Sequence, residues 1–309
     1  MELSIVIPTF RRPAALGRCI NSCLAQKGLD TLAYELVIVD NCPQKSARKI
    51  VQHIASRSCR QIVYTHAPRP GIAHVRNHGV SMARAPFIAF VDDDECADPY
   101  WATQLLNAQT KFDADVVFGQ VLGVLEGDSG VDPDFVRAFY STNLRRQSGR
   151  VKESGGAGTN NVLLRRERCF QGGHAFNSKL GLFAGEDSLF FMQLARTGAT
   201  IAWCNEAVTY EMIPFRRTTQ AYIFRRCIVR GQSTSLIPSL LSPPNWRAVA
   251  WFMMAGATQF LVFGLAAACV ALFSRRRTVK VASRALLGLG KVLWMSPFRV
   301  NYYGQLGIA

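Results

Sequence analysis

The chain has 309 residues, enough for one large α/β domain or two smaller ones with a sizeable hydrophobic core. Its 36 Lys and Arg residues outnumber its 21 Asp and Glu residues and give a formal net charge of +15, which favours nucleic acid, an anionic membrane surface or a phosphorylated substrate as a partner. The sequence argues against nucleic acid, because the Arg clusters lie beside a long apolar stretch and neither zinc-ligand spacing nor a nucleic-acid motif occurs.

Residues 4–8 predict a buried first strand, because they form a mostly apolar run that ends at Thr9. The apolar side chains between residues 16 and 24 recur at helical spacing and predict a helix. Residues 36–39 predict a second strand, which ends at Asp40. A strand, a helix and a strand in this order favour a parallel pair with a right-handed crossover, so we expect Thr9 and Asp40 at neighbouring strand ends.

The same alternation continues to residue 91. Residues 44–57 have a helical composition, residues 61–65 predict a third strand, and the next helix follows a Pro-Gly turn and carries Arg76. Residues 87–91 then predict a fourth strand. No glycine-rich phosphate loop follows the first strand, which argues against a dinucleotide-binding Rossmann domain and against a P-loop NTPase.

Four consecutive carboxylates follow the fourth strand: Asp92, Asp93, Asp94 and Glu95. Because like charges repel one another, such a run needs a solvated turn, a divalent cation or a cationic partner. At the carboxyl end of a parallel strand, the run predicts a site for a metal ion and nucleotide phosphates. An acidic turn that caps a helix beginning near residue 98 is the alternative interpretation.

Downstream of the acidic run, residues 98–113 predict a helix and residues 115–124 a strand, whereas the polar residues 125–155 predict irregular structure. A glycine-rich stretch, residues 155–161, precedes a short predicted strand at residues 162–164. Its glycines suit either a tight turn or the approach of backbone to a sugar, and the sequence leaves both interpretations open.

A second acidic motif, Glu186 and Asp187, lies at the start of a predicted helix that ends at Gly198. Carboxylates at this position are stabilised by the helix dipole and by free backbone amides, so helix capping alone would explain them. The same surroundings keep a carboxylate ionised, as a catalytic base at neutral pH requires. Residues 201–203 and 207–210 are predicted to add strand.

Five motifs occur in an order that resembles the inverting family 2 glycosyltransferases with a GT-A fold. The motifs, which extend over about residues 2–231, are Ile7-Pro-Thr-Phe-Arg-Arg12, Val39-Asp40-Asn41, Arg76-Asn77-x-Gly79, Phe90-Val-Asp-Asp-Asp94 and Gly185-Glu-Asp187. The resemblance implies an α/β fold whose Rossmann-like nucleotide-binding half contains a mixed sheet. The length and the basic, apolar tail further resemble bacterial exopolysaccharide glycosyltransferases of the succinoglycan type, which extend lipid-linked oligosaccharides.

The resemblance also assigns roles to residues of the motifs. Asp92 and Asp94 are implied to bind Mg²⁺ or Mn²⁺ as a D-x-D motif, with Asp94 as the direct ligand, and Asp187 is implied to be the catalytic base. Asp93 stands where many relatives have a neutral residue. The substrate-binding residues, among which Thr9, Asp40 and Arg76 are implied to hold the nucleoside, are Pro8, Thr9, Asp40, Arg76, Asp92, Asp93, Glu186, Arg226 and Arg230.

These implied roles suit the chemistry of glycosyl transfer. A nucleotide diphosphate is a poor leaving group until its charge is neutralised, and a divalent cation that bridges the phosphates supplies this as a Lewis acid. A base on the opposite side removes the proton from the acceptor hydroxyl as that oxygen attacks C1, which inverts the anomeric centre in one displacement. The resemblance favours UDP as the nucleotide and, through the succinoglycan-type enzymes, glucose as the sugar.

On the acceptor side, the Q-x-x-R-W motif of the family does not occur in the sequence, so we do not expect processive synthesis. Arg226 and Arg230 lie in the corresponding region, on a predicted helix, and are expected to contact acceptor phosphate. The acceptor implied by the resemblance is an oligosaccharide linked to polyprenyl diphosphate.

The tail contains a long apolar segment, residues 248–273, which carries no formal charge and is long enough to span a bilayer. Basic residues flank it on both sides, so they do not choose an orientation, and a re-entrant hairpin that turns near Gly256 or Gly264 fits equally well. Residues 285–298 are too short to span and are expected to lie in the membrane interface. A buried helical hairpin of a soluble protein is the remaining interpretation.

We therefore expect a glycosyltransferase domain at residues 1–231, divided into a nucleotide-sugar-binding half at residues 1–115 and an acceptor half at residues 116–231. Residues 232–309 are expected to form a membrane-associated helical tail, with a transmembrane segment as one possibility. Because no signal peptide is recognisable at the start of this sequence, the expected location is the cytoplasmic face of the cell (inner) membrane, with reduced thiols.

Two other functions share parts of this pattern. A sugar nucleotidyltransferase also needs a metal and a nucleotide pocket, but the first strand lacks the glycine-rich loop that such enzymes use for a triphosphate. A non-catalytic membrane-bound protein that binds a nucleotide sugar would also keep the pocket. Both carboxylate motifs are intact in this sequence, which favours an enzyme.

Overall fold

The computed structural model describes residues 1–142, 147–152, 158–171, 175–180 and 183–301. The chain forms two compact units. The first unit comprises Met1–Val124, Tyr140–Gly181 and Glu186–Met212. The second unit comprises Leu125–Phe139, Leu182–Gly185 and Ile213–Ala309.

Nine strands of the described residues form one sheet, and it is mixed, as the family resemblance implied. They are β1 (Leu3–Thr9), β2 (Tyr34–Asp40), β3 (Gln61–His66), β4 (Phe87–Val91), β5 (Glu95–Ala97), β6 (Val116–Leu125), β7 (Gly149–Val151), β8 (Asn161–Arg165) and β9 (Ile201–Ile213). Their order is β3-β2-β1-β4-β8-β6-β9-β5, and β7 pairs with β9. The first four strands are parallel, whereas β8 runs antiparallel to β4 and β6.

The α-helices of the described residues alternate with the first strands and then dominate the end of the chain. They are α1 (Pro13–Leu24), α2 (Arg48–Ala55), α3 (Ile72–Met82), α4 (Trp101–Phe112), α5 (Pro133–Tyr140), α6 (Arg166–Cys169), α7 (Glu186–Arg196), α8 (Gln220–Ser239), α9 (Trp246–Ala271) and α10 (Arg275–Val292). The predicted helices and parallel strands of residues 1–113 are all present, with ends that differ by a few residues.

Strands β1, β2 and β4 have cores on both faces, which explains why their sequences are nearly continuous apolar runs. Alternate side chains of β1 enter different cores. Ile5 and Ile7 belong to the core that includes α1 and α4, whereas Val6 belongs to the core that includes α3 and α7. Burial on both faces fixes the register of these strands, because a slip of one residue would move every side chain to the opposite core.

The prediction of irregular structure for residues 125–155 was wrong, because this segment contains α5 and β7. The sequence does carry a start signal for α5. Oδ1 of Asp132 accepts a hydrogen bond from the Phe135 amide (2.8 Å), and Pro133 is the first helical residue. The short length of both elements concealed them within a polar segment.

At two places the structure contains more strand than the sequence predicted. Residues 201–203 and 207–210, both predicted as strand, belong to one strand, β9, which also includes the polar residues Asn205 and Glu206. The acidic run was not predicted to form a strand, but Glu95 begins β5 and pairs with β9. In both cases pairing with a distant strand decides the structure, whereas the local pattern indicated a break.

In the second unit, the apolar tail segment forms one continuous helix, α9, so a re-entrant turn at Gly256 or Gly264 is wrong. In the part of the chain that the structure describes, α9 alone is long and apolar enough to cross a membrane by length and composition. The next helix, α10, begins ten residues before the predicted segment at residue 285. Oγ of Ser274 caps it by accepting a hydrogen bond from the Arg277 amide (3.4 Å).

We expect Gly79→Ala to destabilise the first unit, because a Cβ at position 79 would lie 2.5 Å from Cγ1 of Val6 and 3.2 Å from Cγ2 of Val39. Overpacking of this kind costs about 1–3 kcal/mol. Gly17→Ala in α1 is the matched control, because its Cβ would make only ordinary contacts at 3.5 Å and Ala favours a helix. Chemical denaturation compares the free energies of unfolding, and a Gly79→Ala variant as stable as the parent would contradict this packing.

Candidate active site

The ends of three parallel strands bring the first predicted site residues to one edge of the sheet. In the ladder, Thr9 of β1 lies opposite Asp40 of β2, and β4, which precedes Asp92, pairs with the other side of β1. Pro8 is buried in β1 beside Thr9. The structure therefore places the strand-end residues and the acidic run in the same part of the first unit.

The residues of the acidic run alternate between half-buried and buried. Asp93 is buried, and its Oδ2 accepts hydrogen bonds from the Thr9 hydroxyl (2.7 Å) and from the backbone amide of Phe10 (3.4 Å). Asp92 and Asp94 are half-buried, which leaves part of each residue at the surface. Nη1 of Arg12, in the turn after β1, lies 3.1 Å from Oδ1 of Asp93 and 2.8 Å from Oδ2 of Asp94.

The electrostatics of the run suit a divalent cation. Burial and the charges of Asp94 and Asp93 raise the pKa of Asp92 to about 7, and burial raises the pKa of Asp93 to about 6. A bound cation would offset both the burial of these carboxylates and the repulsion between them. In the described residues no three His, Cys, Asp or Glu side chains form a complete metal site. Asp92 and Asp94 nevertheless fit Mg²⁺ or Mn²⁺, because such ions commonly take one or two carboxylates and complete their shell with substrate phosphates and water.

Glu95, the last residue of the run, points into the protein. Nδ2 of Asn160 donates a hydrogen bond to its Oε1 (2.8 Å), and its buried Oε2 has no hydrogen-bond partner among the described residues. Burial, followed by the charges of Asp92 and Glu211, raises the pKa of Glu95 well above its ordinary value. The alternative of a solvated acidic turn therefore does not describe this end of the run.

Asp40 is fully buried and organises the loop after β2. Its carboxylate accepts hydrogen bonds from the backbone amides of Cys42 (2.8 Å) and Ala47 (2.9 Å) and from the hydroxyl of Tyr64 (3.1 Å). Burial and the negative charge of Asp40 raise the pKa of Tyr64 to about 12. These bonds give Asp40 a role in the shape of the loop, and its contact with a nucleoside stays a prediction.

A buried ion pair joins α3 to the N-terminus of α7. Nη1 of Arg76 donates a hydrogen bond to Oε1 of Glu186, and only 5% and 2% of the two side-chain surfaces are exposed. Burial and the charge of Asp187 raise the pKa of Glu186 to about 7, whereas the charge of Arg76 favours the ionised form. The same guanidinium also opposes the upward shift in the pKa of Asp92, so it acts on both acidic motifs.

Asp187, the predicted base, is half-buried in the first turn of α7. Its Oδ1 accepts a hydrogen bond from the Ser188 amide (2.7 Å). Its Oδ2 lies so close to Gly158 that a Cβ at that position would approach it to 2.7 Å. From Gly158 the chain passes Asn160, which bonds Glu95, and enters β8 beside β4. This short segment therefore links the Asp187 carboxylate to the acidic run.

Two predicted site residues, Arg226 and Arg230, lie one turn apart on α8 in the second unit. Arg226 is half-buried, and the exposed Arg230 has its guanidinium 4.6 Å from the ring centroid of Phe139. Residues 155–157 of the glycine-rich stretch lie outside the described residues. Whether these glycines form a tight turn or contact a sugar therefore stays open.

Three residues that sequence reasoning did not select also lie at the site. Arg12 contacts two carboxylates of the acidic run, Asn160 bonds its last residue, and Gly158 leaves room for Asp187. Arg12 ends the first motif, and the other two belong to the glycine-rich stretch. Their motifs were therefore visible, but local sequence does not say which distant carboxylate each residue meets.

Comparison with known proteins adds three findings. The model of the glycosyl transferase family 2 matches residues 4–169. The succinoglycan biosynthesis protein ExoM of Rhizobium meliloti is 29% identical over 295 residues, which cover 94% of this chain and 92% of that protein. The validoxylamine A glucosyltransferase of Streptomyces hygroscopicus subsp. jinggangensis is 31% identical over 122 residues, which cover 39% of this chain and 29% of that protein.

A solved structure supports the fold. The crystal structure of S. aureus TarS 1–349 in complex with UDP-GlcNAc has a TM-score of 0.55 and 17% identity, and the match covers 94% of this chain and 90% of that chain. The complex of the same protein with UDP has a TM-score of 0.56 and 16% identity, with the same coverage. At these identities the likeness concerns the fold, and the predicted GT-A fold is confirmed.

We expect Arg76→Met to lower the free energy of unfolding by about 3–5 kcal/mol, because it leaves the buried carboxylate of Glu186 unpaired. The double variant Arg76→Met/Glu186→Leu should recover much of this loss, since it removes both charges. Arg137→Met, in an exposed pair with Asp134, is the control and should change stability by no more than about 1 kcal/mol. Chemical denaturation measures these variants and the single variant Glu186→Leu. A double variant whose loss equals the sum of the losses of Arg76→Met and Glu186→Leu would contradict the pairing.

We expect Gly158→Ala to leave stability nearly unchanged but to reduce any turnover that depends on Asp187, by up to about 100-fold. The new Cβ would displace the Asp187 carboxylate, which is the free end of a side chain and moves at little cost to folding. Gly149→Ala is the control, because a Cβ there would meet open space. Steady-state assays and thermal melts test both variants, and full turnover by Gly158→Ala would show that the close approach is irrelevant.

Proposed function

The chain belongs to glycosyl transferase family 2, and from this premise we propose that it transfers a hexose from a nucleotide-sugar donor to a lipid-linked oligosaccharide. One observation carries the proposal. The first unit brings together the half-buried residues Asp92 and Asp94, the buried pair of Arg76 with Glu186, and the Asp187 carboxylate in the first turn of α7. Glycosyl transfer needs both a cation site for the diphosphate and a base for the acceptor.

The acidic run would serve the donor. Asp92 and Asp94 would hold Mg²⁺ or Mn²⁺, with Asp94 as the direct ligand, and the bound cation would neutralise the diphosphate leaving group as a Lewis acid. The inward Asp93 would keep the turn after β1 in place through its bond to Thr9. The donor's nucleoside would lie against Thr9, Asp40 and Arg76, and Pro8 and Asp93 would contribute to substrate binding beside them.

Asp187 would act as the single base. Its carboxylate would take the proton from the acceptor hydroxyl as that oxygen forms a bond to C1 and the diphosphate leaves with the electron pair of the broken bond. One displacement of this kind inverts the anomeric centre. Glu186, which we predicted as a substrate-binding residue, would influence the substrate by fixing the first turn of α7, because its carboxylate is bonded to Arg76.

The proposed substrates follow from the relatives and from the resemblance of the motifs. ExoM is named for succinoglycan biosynthesis, and the Streptomyces relative is named as a glucosyltransferase. The S. aureus TarS structure contains UDP-GlcNAc, which supports a UDP-sugar donor. We therefore propose glucose from UDP-glucose as the transferred sugar, in the synthesis of an exopolysaccharide or another cell-surface polysaccharide.

The proposed acceptor, an oligosaccharide on polyprenyl diphosphate, would place the enzyme at the cytoplasmic face of the cell membrane. A polyprenyl chain stays in the bilayer, so the enzyme must come to it, and the apolar helix α9 supports such an attachment. Arg226 and Arg230 would contact the acceptor diphosphate as cations on one face of α8. The proposal also includes the domain boundaries. The glycosyltransferase domain would end at residue 231, where the membrane tail begins, and its two halves would meet at residue 115.

The experiment that tests this function incubates the purified full chain with membranes that contain lipid-linked acceptors and with a panel of radiolabelled nucleotide sugars. We expect label from UDP-glucose to enter the lipid fraction, EDTA to abolish this transfer, and added Mg²⁺ or Mn²⁺ to restore it. Transfer that is unchanged by EDTA would contradict the metal. A product formed only from a nucleoside triphosphate and a sugar phosphate would instead identify a nucleotidyltransferase.

We expect Asp187→Asn to keep the affinity for the donor near that of the parent and to lower turnover roughly 10²- to 10⁴-fold, because the change preserves size and removes basicity. Calorimetric titration with UDP and Mn²⁺ measures donor binding, and the transfer assay measures turnover. Asp134→Asn, in an exposed position of α5, is the control and should leave both unchanged. If Asp187→Asn abolished donor binding as well, Asp187 would be a structural residue and not the base.

A further inference from the structure

The helix α9 exposes a continuous apolar surface. Only Val249 and Gly256 of its 26 residues are buried. The exposed large side chains of α9 repeat at helical spacing and include Trp251 (64%), Met254 (60%), Leu261 (62%) and Leu265 (70%). Contiguous apolar surfaces of this kind mark contacts with a protein partner or a membrane, because water disfavours them. The surface therefore needs an apolar occupant.

A second helix fixes the position of α9. α10 returns along it after a turn at residues 272–274, and the two backbones touch at Gly256 and Gly288, where a Cβ on Gly288 would lie 2.6 Å from the Gly256 oxygen. Two hydrogen bonds support this contact. Nε2 of Gln259 donates a hydrogen bond to the backbone oxygen of Arg284 (2.7 Å), and Nζ of Lys291 donates one to Oε1 of Gln259 (2.9 Å). The two helices therefore form an antiparallel hairpin.

The outer face of α10 is cationic. Its exposed positions include Arg276, Arg277, Lys280 and Arg284, which follow one another at helical spacing. The guanidinium of Arg284 lies 5.3 Å from the ring centroid of Phe263 in α9. Because the hairpin is antiparallel, the four cations lie beside the C-terminal half of α9. The hairpin thus presents apolar side chains from one helix and positive charge from the other.

This arrangement disfavours a transmembrane hairpin. At about 1.5 Å per residue, α9 extends about 39 Å and could cross the roughly 30 Å hydrocarbon core by itself. α10 would have to enter the bilayer with it, and the exposed Lys280 and Arg284 would then lie at hydrocarbon depth without water. Such charges are costly there, whereas a helix in the interface keeps cations at the phosphates and apolar side chains among the acyl chains.

We propose that the hairpin of α9 and α10 binds the surface of an anionic membrane from one side, with α9 embedded in the interface and the α10 cations against lipid phosphate, and does not cross the bilayer. The charge of the hairpin selects this occupant, because an anionic lipid surface supplies acyl chains for α9 and phosphates for α10. The proposal rests on the proposed function only in placing the enzyme at a membrane.

Thiol labelling tests the topology with the full chain in bacterial membrane vesicles. Cys59, exposed in the first unit, is the natural reference, and Arg276→Cys adds a thiol beyond the turn between the two helices; Cys269→Ser removes the exposed thiol of α9. We expect a membrane-impermeant maleimide to label both thiols in inside-out vesicles and neither thiol in sealed right-side-out vesicles. If Cys59 were labelled only in inside-out vesicles and the thiol introduced at position 276 only in right-side-out vesicles, α9 would span the bilayer and the proposal would be overturned.

Vesicle binding tests the lipid. The full chain should float with phosphatidylcholine vesicles that contain phosphatidylglycerol and bind vesicles of phosphatidylcholine alone more weakly. Arg276→Gln/Lys280→Gln should weaken binding to the anionic vesicles about 30-fold, because each cation near the surface contributes separately. The matched control, Lys49→Gln/Arg57→Gln, removes two exposed charges from the first unit and should not weaken it. Equal binding by both double variants would overturn the assignment of α10.

A second copy of the chain is the competing occupant of the α9 surface. A stable dimer that does not bind vesicles, and that Leu261→Gln/Leu265→Gln converts to a monomer, would overturn the proposal. None of these measurements uses glycosyl transfer. Loss of donor turnover with normal vesicle binding would therefore count against the proposed function alone, and normal turnover with opposite-side labelling would count against the hairpin alone.

Discussion

The buried ion pair between Arg76 and Glu186 is the interaction on which the rest of the site depends. Two opposite charges removed from water lose their hydration, and their mutual attraction seldom does more than offset that loss, so such a pair adds little net stability. Its effect is geometric. The bond ties α3 to the first turn of α7, where Asp187 follows Glu186, and the charge of Arg76 also acts on Asp92. Both acidic motifs therefore share one cation.

The alternation within the acidic run gives this arrangement its second constraint. Asp93 and Glu95 are buried and accept hydrogen bonds from Thr9 and Asn160, whereas Asp92 and Asp94 are half-buried. Burial raises the pKa values of Asp92 and Asp93, and the repulsion between adjacent aspartates raises them further. The repulsion favours the arrival of a cation and of the diphosphate that the cation would carry.

The sequence predicted the first half of the fold because β1, β2 and β4 are buried on both faces, and burial of that kind produces apolar runs that alternate with helices. It failed where a distant partner decides the structure, as for β5 and the middle of β9. The same limit applies to the site. Motifs placed Thr9, Asp40 and the aspartates at strand ends, but Arg76 and Glu186 are 110 residues apart, and no local pattern specifies their bond.

The stereochemistry of sugar release tests the central claim, that one base and one displacement at this site break the donor's glycosidic bond to phosphate. The enzyme's slow hydrolysis of UDP-α-glucose is the reaction to follow, because it needs no acceptor. Proton NMR identifies the anomer of the released glucose before the free sugar mutarotates. The account predicts that the first glucose to appear is the β anomer and that Asp187→Asn suppresses its formation. Release of the α anomer first would contradict the account, because retention requires two displacements or a different mechanism.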